Sequence, residues 1–295
     1  MAERSVAETK KYELKIITPM FLAGADGETP ELRPSSFKGC MRYWWRAAVA
    51  VADIKDLHRR EAELFGSSAE GSGRSPVTIK LEGRLEPGEY RPLPHSDNKQ
   101  FTLNGFKPGQ TFELILSARK NLELYADILE LSLILGGVGK RSRRGFGSVV
   151  DVSRDFRNRA ELIDHILAKL QAVTGSREFR RMKDDRREFI ITRDDGVEGR
   201  DGNKYPWIKE IFIGQELAQW KMLVERIGQA SHDHNDPSLG SAGPRMASPV
   251  YVSAVMLGGK IAPVVTTLNP VFPERYPVRN SDSDMTKQES FKGAL

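Results

Sequence analysis

Apolar and polar positions alternate through Lys11–Ile17, where Tyr12, Leu14 and Ile16 are interleaved with Glu13 and Lys15, the period-two pattern of a strand with one buried face. Pro19 and the run Gly24-Ala-Asp-Gly27 end it and open a loop to Pro34. Spacing then switches to the helical period from about Ser36, with Ser35 or Ser36 as the N-cap, and predicts one helix past Leu57 toward Phe65. Val77, Ile79 and Leu81 alternate as a second strand, and Phe112, Leu114 and Leu116 as a third. Asn121 opens a second helix, with Glu123, Asp127 and Glu130 on its polar side. That helix ends at Gly136-Gly137, and a fourth strand follows at Ser148–Val152.

Strand, helix, strand, strand, helix, strand is the split βαβ order of the ferredoxin-like fold, an α+β arrangement with helices on one face of an antiparallel sheet. Residues 1–152 fit one such unit. In the second half, helices are expected at about Phe156–Val173 and Gln215–Gln229, and a strand at Phe189–Thr192. Val250–Leu257 and Lys260–Leu268 joined by Gly258-Gly259 form a hairpin signal, and Pro263 demotes the second of these strands to an edge. Helix, the Gly-containing loop Gly240-Ser-Ala-Gly-Pro-Arg245, then strand echoes the end of the first half. Residues 153–278 are therefore expected to form a second, diverged ferredoxin-like domain, and 279–295 a polar, poorly ordered tail.

Composition narrows the class. With 295 residues, 29% charged and 39% hydrophobic, the chain falls among globular proteins. Its apolar runs are far shorter than the ~18 residues that span a bilayer, and the charged start lacks an apolar signal core. A single cysteine, Cys40, excludes an internal disulfide and any all-Cys metal site. An intracellular, cytoplasmic protein is the expectation.

The net charge of +5 says little until it is located. Leu32–Ala52 holds Arg33, Lys38, Arg42 and Arg46 without an acid, and Leu131–Val150 holds Lys140, Arg141, Arg143 and Arg144 without an acid. The remainder is mildly acidic. Arg177–Asp195, by contrast, mixes both signs like a solvated face. At 100° per residue Lys38, Arg42, Trp45 and Arg46 share one stripe, separate from the apolar stripe Phe37, Met41, Trp44 and Ala48. Cations around an indole suit single-stranded nucleic acid, through phosphate neutralisation and base stacking. Burial of Trp45 is the competing reading, since large aromatics usually lie inside.

The segment Gly136-Gly-Val-Gly-Lys-Arg-Ser-Arg-Arg-Gly-Phe-Gly147 combines five glycines with four cations. Such a loop can approach a ligand with its backbone and attract phosphate. It is neither a P-loop, because Ile134 and Arg141 stand where Gly and Ser/Thr are required, nor a dinucleotide fingerprint, because Ser142 stands where Gly is required. Phosphates along a polynucleotide are its best use.

Thr18-Pro19-Met20-Phe21, the run Leu32-Arg33-Pro34-Ser35-Ser36-Phe37-Lys38-Gly39-Cys40-Met41-Arg42-Tyr43-Trp44-Trp45-Arg46 and the Gly/Arg loop together resemble the RAMP superfamily. More narrowly they resemble the family of first-numbered RAMP subunits of the Cmr complex, the type III-B CRISPR effector. The resemblance implies tandem ferredoxin-like (RRM-like) domains and assembly with CRISPR RNA and sister RAMP subunits. It also implies a place near the 3′ end of that RNA, without being the subunit that cuts target RNA. By position, Arg33, Ser36, Lys38, Arg42 and Arg46 match the helix motif and Gly137 to Gly147 the loop; Met41 stands where Leu is expected. The expected RNA-binding set is thus Arg33, Ser36, Lys38, Arg42, Trp45 and Arg46, then Gly137, Gly139, Lys140, Arg141, Arg143, Arg144 and Gly145, with Arg245, all on one groove.

Some RAMP proteins are metal-independent ribonucleases, which makes a histidine-dependent nuclease the rival reading. His58, His95, His165, His232 and His234 all lie outside the two basic windows, and His232-Asp-His-Asn-Asp236 reads as a turn before Pro237. Binding without catalysis, metal or cofactor is the expectation, with a pure protein-assembly module as a third possibility.

Overall fold

The computed structural model describes residues 6–67, 73–94, 101–182, 190–194, 204–241, 246–271 and 285–295. Strand β1 (Glu8–Ile16) turns Tyr12, Leu14 and Ile16 inward, as its alternation requires. It lies between β5 (Thr111–Ala118) and β6 (Val149–Asp151), and β2 (Val77–Glu82) pairs with β5. All pairings are antiparallel, in the order β2-β5-β1-β6. A hairpin that the pattern did not predict, β3 (Pro87–Tyr90) with β4 (Leu103–Phe106), is inserted between β2 and β5.

The first helical segment is two helices, not one. Helix α1 (Pro34–Val49) ends at Ala50 in the left-handed region (φ 47°), and α2 (Ile54–Phe65) restarts at Asp53, whose carboxylate accepts the Lys55 N–H at 2.7 Å. The reversal lets α2 fold back beside α1. The second half caps the end of α1: Arg193 donates to the Ala48 carbonyl and Tyr205 to the Val51 carbonyl. At its start the N-cap is Arg33, with Pro34 as the first helical residue, rather than Ser35 or Ser36.

The second half contains α4 (Arg159–Thr174), β7 (Phe179–Arg181), β8 (Ile190–Arg193), β9 (Ile208–Ile213), α5 (Trp220–Asp233), β10 (Val250–Leu257) and β11 (Lys260–Leu268). Its antiparallel sheet runs β10-β11-β9-β8-β7. The neighbours β10-β11-β9-β8 repeat the pattern β2-β5-β1-β6, except that the last-placed strand precedes the others in sequence. Gly258 and Gly259, with φ of 56° and 76°, form the expected two-residue turn. Strand β11 is not an edge strand. Pro263 stands one residue beyond the β9 ladder, which starts at Val264 opposite Ile213; its carbonyl still accepts the Gly214 N–H at 2.9 Å, but without an N–H of its own it cannot complete a further rung.

Helix α3 (Leu122–Leu135) lies at the centre of the largest apolar cluster. One apolar cluster runs from Leu14 and Trp44 through Leu129 to Ile166, Ile208 and Val255, so the two sheets share a core. Because α4 and β10 cover what would have been its polar side, Glu130 is only 7% exposed. Its carboxylate meets Lys169 at 3.0 Å, His165 at 3.4 Å and Arg154 at 3.7 Å. Burial works to raise the Glu130 pKa, but hydrogen bonds from His165 and Lys169 and the charges of Lys169 and Arg154 outweigh it and hold it at about 2.

At the end of the chain, residues 285–293 form helix α6 (Met285–Gly293), with Phe291 and Leu295 buried. A wholly disordered tail over 279–295 is therefore corrected: Phe291 and Leu295 supply enough apolar surface to dock this segment beside β10 and β11. Among the described residues no helix is long and apolar enough to cross a membrane.

Since the folded pKa of Glu130 lies below its ordinary value, its contribution is complete above about pH 4.5 and is lost as pH falls toward about 2. Circular dichroism melts across this window should show the wild-type midpoint falling more steeply than that of Glu130→Gln. Parallel acid profiles would refute the ion hub.

Candidate functional site

The segment 136–148 crosses between the sheets, and its glycines answer that crowding. A Cβ on Gly147 would fall 2.1 Å from the Val138 carbonyl oxygen, and one on Gly139 2.4 Å from that of Phe21. Both residues also have positive φ, 69° and 98°. A Cβ on Gly137 would meet the Phe146 oxygen at 2.3 Å and one on Gly145 the Ile227 side chain at 2.6 Å. These glycines are required by close packing against the rest of the protein. Backbone donors are committed in the same way. Lys140 N–H donates to Phe21 O at 2.9 Å, Gly147 N–H to Pro19 O at 2.9 Å and Gly145 N–H to Val252 O at 2.8 Å.

So tethered, the loop presents Lys140, Arg141, Arg143 and Arg144 to a cleft of ≈ 510 Å³. The opposite wall is Leu239–Ser241, Met246 and Ser248 from the second half, and no Asp or Glu is among the described lining residues. The four cations have different duties. Arg144 is a strut, donating to Leu239 O at 3.0 Å, Ser248 Oγ at 3.1 Å and Val250 O at 3.3 Å. Burial and the like charges of Arg141 and Arg143 push its guanidinium down to about 10. Arg143 stacks over the Tyr251 ring, 4.7 Å from its centroid. Lys140 donates to Gly27 O at 2.6 Å. Arg141 is exposed at φ 63°, and among the described residues its side chain has no hydrogen-bond or ion-pair partner. Lys140, Arg141 and Arg143 thus stand together at the seam with no carboxylate among the described lining residues.

The helix set behaves otherwise. Trp45 is 3% exposed and packs edge-on against Phe65, 6.2 Å between centroids, so it is no stacking platform. Arg42 and Arg46 both bond the nearly buried Glu61 of α2, at 2.6 and 2.5 Å. The acid absent from their own window is supplied by the next helix. Lys38 donates to Val77 O at 3.3 Å, and burial followed by the Arg42 charge lowers its pKa. Arg33 donates to Ala23 O at 3.4 Å, and Ser36 N–H bonds Arg33 O within the first turn. No described α1 residue lines the arginine cleft, so the helix and the loop do not form a single groove. They meet behind it, where the Trp44 indole lies against Gly136 and Cys40 Sγ is 3.9 Å from the Gly137 carbonyl oxygen.

Arg245 lies outside the described residues, as does His95. Gly240, Ser241 and Met246, which flank residues 242–245, line the cleft, and Ser248 lies just beyond them. These, with Leu239 and Tyr251, are the positions sequence reasoning missed, although the helix–glycine loop–strand echo around 240–250 pointed to them. Among the described residues no group of His, Cys, Asp and Glu could hold a metal. His58 is exposed on α2, and His165 is engaged by Glu130.

A two-sheet α+β protein whose Gly/Arg loop opens on a basic cleft defines the class, and residues 13–150 match the RAMP superfamily. Over that stretch, just under half of its length, the chain is similar to this superfamily. Two curated relatives come from Pyrococcus furiosus. The CRISPR system Cmr subunit Cmr1-2 is 28% identical over 173 residues, 47% of this chain and 92% of that protein. Cmr subunit Cmr1-1 is 30% identical over 160 residues, 48% of this chain, and the alignment spans about half (46%) of that protein's length. The crystal structure of apo Cmr1 from Pyrococcus furiosus matches at 19% identity with a TM-score of 0.63, covering 98% of this chain and 97% of that one. A chain of the type III-B Cmr-beta complex bound to cognate target RNA matches at 11% identity and TM-score 0.56, covering 96% and 98%. At these identities the structural likeness speaks for the fold.

Arg144→Met removes three hydrogen bonds, leaving the buried Leu239 carbonyl without its guanidinium donor, and is expected to lower unfolding stability by about 2–3 kcal/mol in urea titrations. Arg141→Asn, which keeps a residue tolerant of positive φ, should stay within about 0.5 kcal/mol of wild type. Equal losses would remove the distinction between strut and free cation.

Proposed function

We propose that this chain is a non-catalytic RNA-binding subunit of a type III-B CRISPR ribonucleoprotein effector. In this reading it holds single-stranded RNA, the 3′ region of the CRISPR RNA or the target RNA, beside sister RAMP subunits of the Cmr complex. Its two units, 1–152 and 153–278, are ferredoxin-like, the second permuted so that β8 takes the place of the final strand. The observation that carries the reading is the acid-free cleft with Lys140, Arg141 and Arg143 on one wall. Phosphates crossing it would release counterions at each cation they meet. The names of the two curated relatives support the assignment to a Cmr complex. Binding without cleavage is favoured by the placement of the described histidines, none of which lines the cleft.

Fluorescence anisotropy with labelled single-stranded RNA over a salt series tests it. The double variant Lys140→Ala, Arg141→Asn should weaken binding and flatten the log–log salt slope by about 1.4, at ~0.7 per single-strand phosphate. Unchanged affinity and slope would overturn the cleft as the RNA site.

A further inference from the structure

Lys140 lines a second cleft as well. This one, ≈ 520 Å³, lies between the 23–28 loop and β4, with Phe21 and Leu103 among its apolar lining and Lys140 on the side shared with the arginine cleft. Its polar chemistry is the reverse of its neighbour's. Asn104 is exposed and its amide has no partner among the described residues, and the same holds for the Glu28 carboxylate. Asp26 is already engaged: Thr29 Oγ1 donates to it at 2.5 Å and the N–H groups of Glu28 and Thr29 at 3.0 Å each. Those hydrogen bonds, the Thr29 hydroxyl foremost, hold its carboxyl below the ordinary value. Glu28 and Asn104 are thus the groups left to receive a ligand. A carboxylate rim repels phosphate, so this cleft is no extension of the anion site.

The half-buried Leu103, an amide, a carboxylate acceptor and an adjoining cation together match one nucleotide. The base lies against Leu103, and its phosphate faces Lys140. We infer that this second cleft is a nucleobase subsite for RNA held in the arginine cleft, selecting bases whose exocyclic amine donates to Glu28 and Asn104, adenine or cytosine over uracil. Asparagine bidentate to adenine and a carboxylate accepting from the cytosine amine are the recognised pairings. The volume lies within the ordinary range for small-molecule sites. The inference rests on the RNA-binding reading and adds base preference to it.

Anisotropy with the full chain and 12-nucleotide strands of A, C or U, together with an abasic ribose-phosphate strand, separates the two. Wild type should bind the A and C strands about fivefold or more tighter than the U and abasic strands. The double variant Glu28→Gln, Asn104→Ala should abolish that preference while leaving the salt slope unchanged. Equal affinity for all four strands with a normal salt slope overturns the base subsite and leaves the phosphate cleft standing. A preference that survives the double variant also overturns it, by placing base reading elsewhere. Absence of any salt-dependent binding by wild type sinks both readings together.

Discussion

Two hydrogen bonds set the geometry on which everything else depends. Gly145 N–H reaches the Val252 carbonyl at 2.8 Å, and Ser148 Oγ receives the Ala254 N–H at 3.0 Å. They fasten the Gly/Arg loop of the first half to β10 of the second. The loop backbone has no room for side chains at Gly137 and Gly147, which face Phe146 and Val138 within the loop, at Gly139 against Phe21, or at Gly145 against Ile227 of α5. On the other flank the loop bonds to Pro19 and Phe21, which follow β1. A segment held at both ends by backbone hydrogen bonds is a rigid support, and the cations between those anchors inherit its precision.

That support explains a placement that is electrostatically unfavourable in isolation. Arg141, Arg143 and Arg144 repel one another, and Arg144 is also partly desolvated, as its lowered pKa records. Carbonyl oxygens of Leu239 and Val250 stabilise Arg144, and the Tyr251 ring stabilises Arg143, without neutralising either. The charge therefore stays available at the seam. On α1 the opposite solution is used: Glu61 sits between Arg42 and Arg46 and offsets part of their charge. Two windows with equal charge in the sequence end with opposite roles.

The fold was most legible where one period ran uninterrupted. Strands β1, β2 and β5 and the hairpin of β10 and β11 follow directly from alternation and paired glycines. Legibility failed at short strands such as β3, β4 and β7, which are too brief for a period to register. It also failed at the break between α1 and α2, where apolar spacing continues across Ala50 although the backbone reverses. Of the predicted binding residues, Lys140, Arg141, Arg143 and Arg144 come together in one cleft. Trp45, Arg42 and Arg46 do not, because burial against Phe65 and pairing with Glu61 depend on a helix whose direction the pattern leaves open.

By itself the sequence determined the longer strands and most of the helices, that glycines and cations concentrate in one loop, and that the net positive charge is local. Those properties reside in side-chain period, backbone freedom and charge, all of which are written residue by residue. Only the tertiary structure decided which cations remain free, since pairing depends on carboxylates brought from distant segments. It likewise decided that Glu130 is buried, that Pro263 falls past the end of a ladder, and that the arginine cleft takes its second wall from residues 239–248. Each of these is a statement about what lies opposite, and a chain specifies its neighbours in space only once its elements have packed.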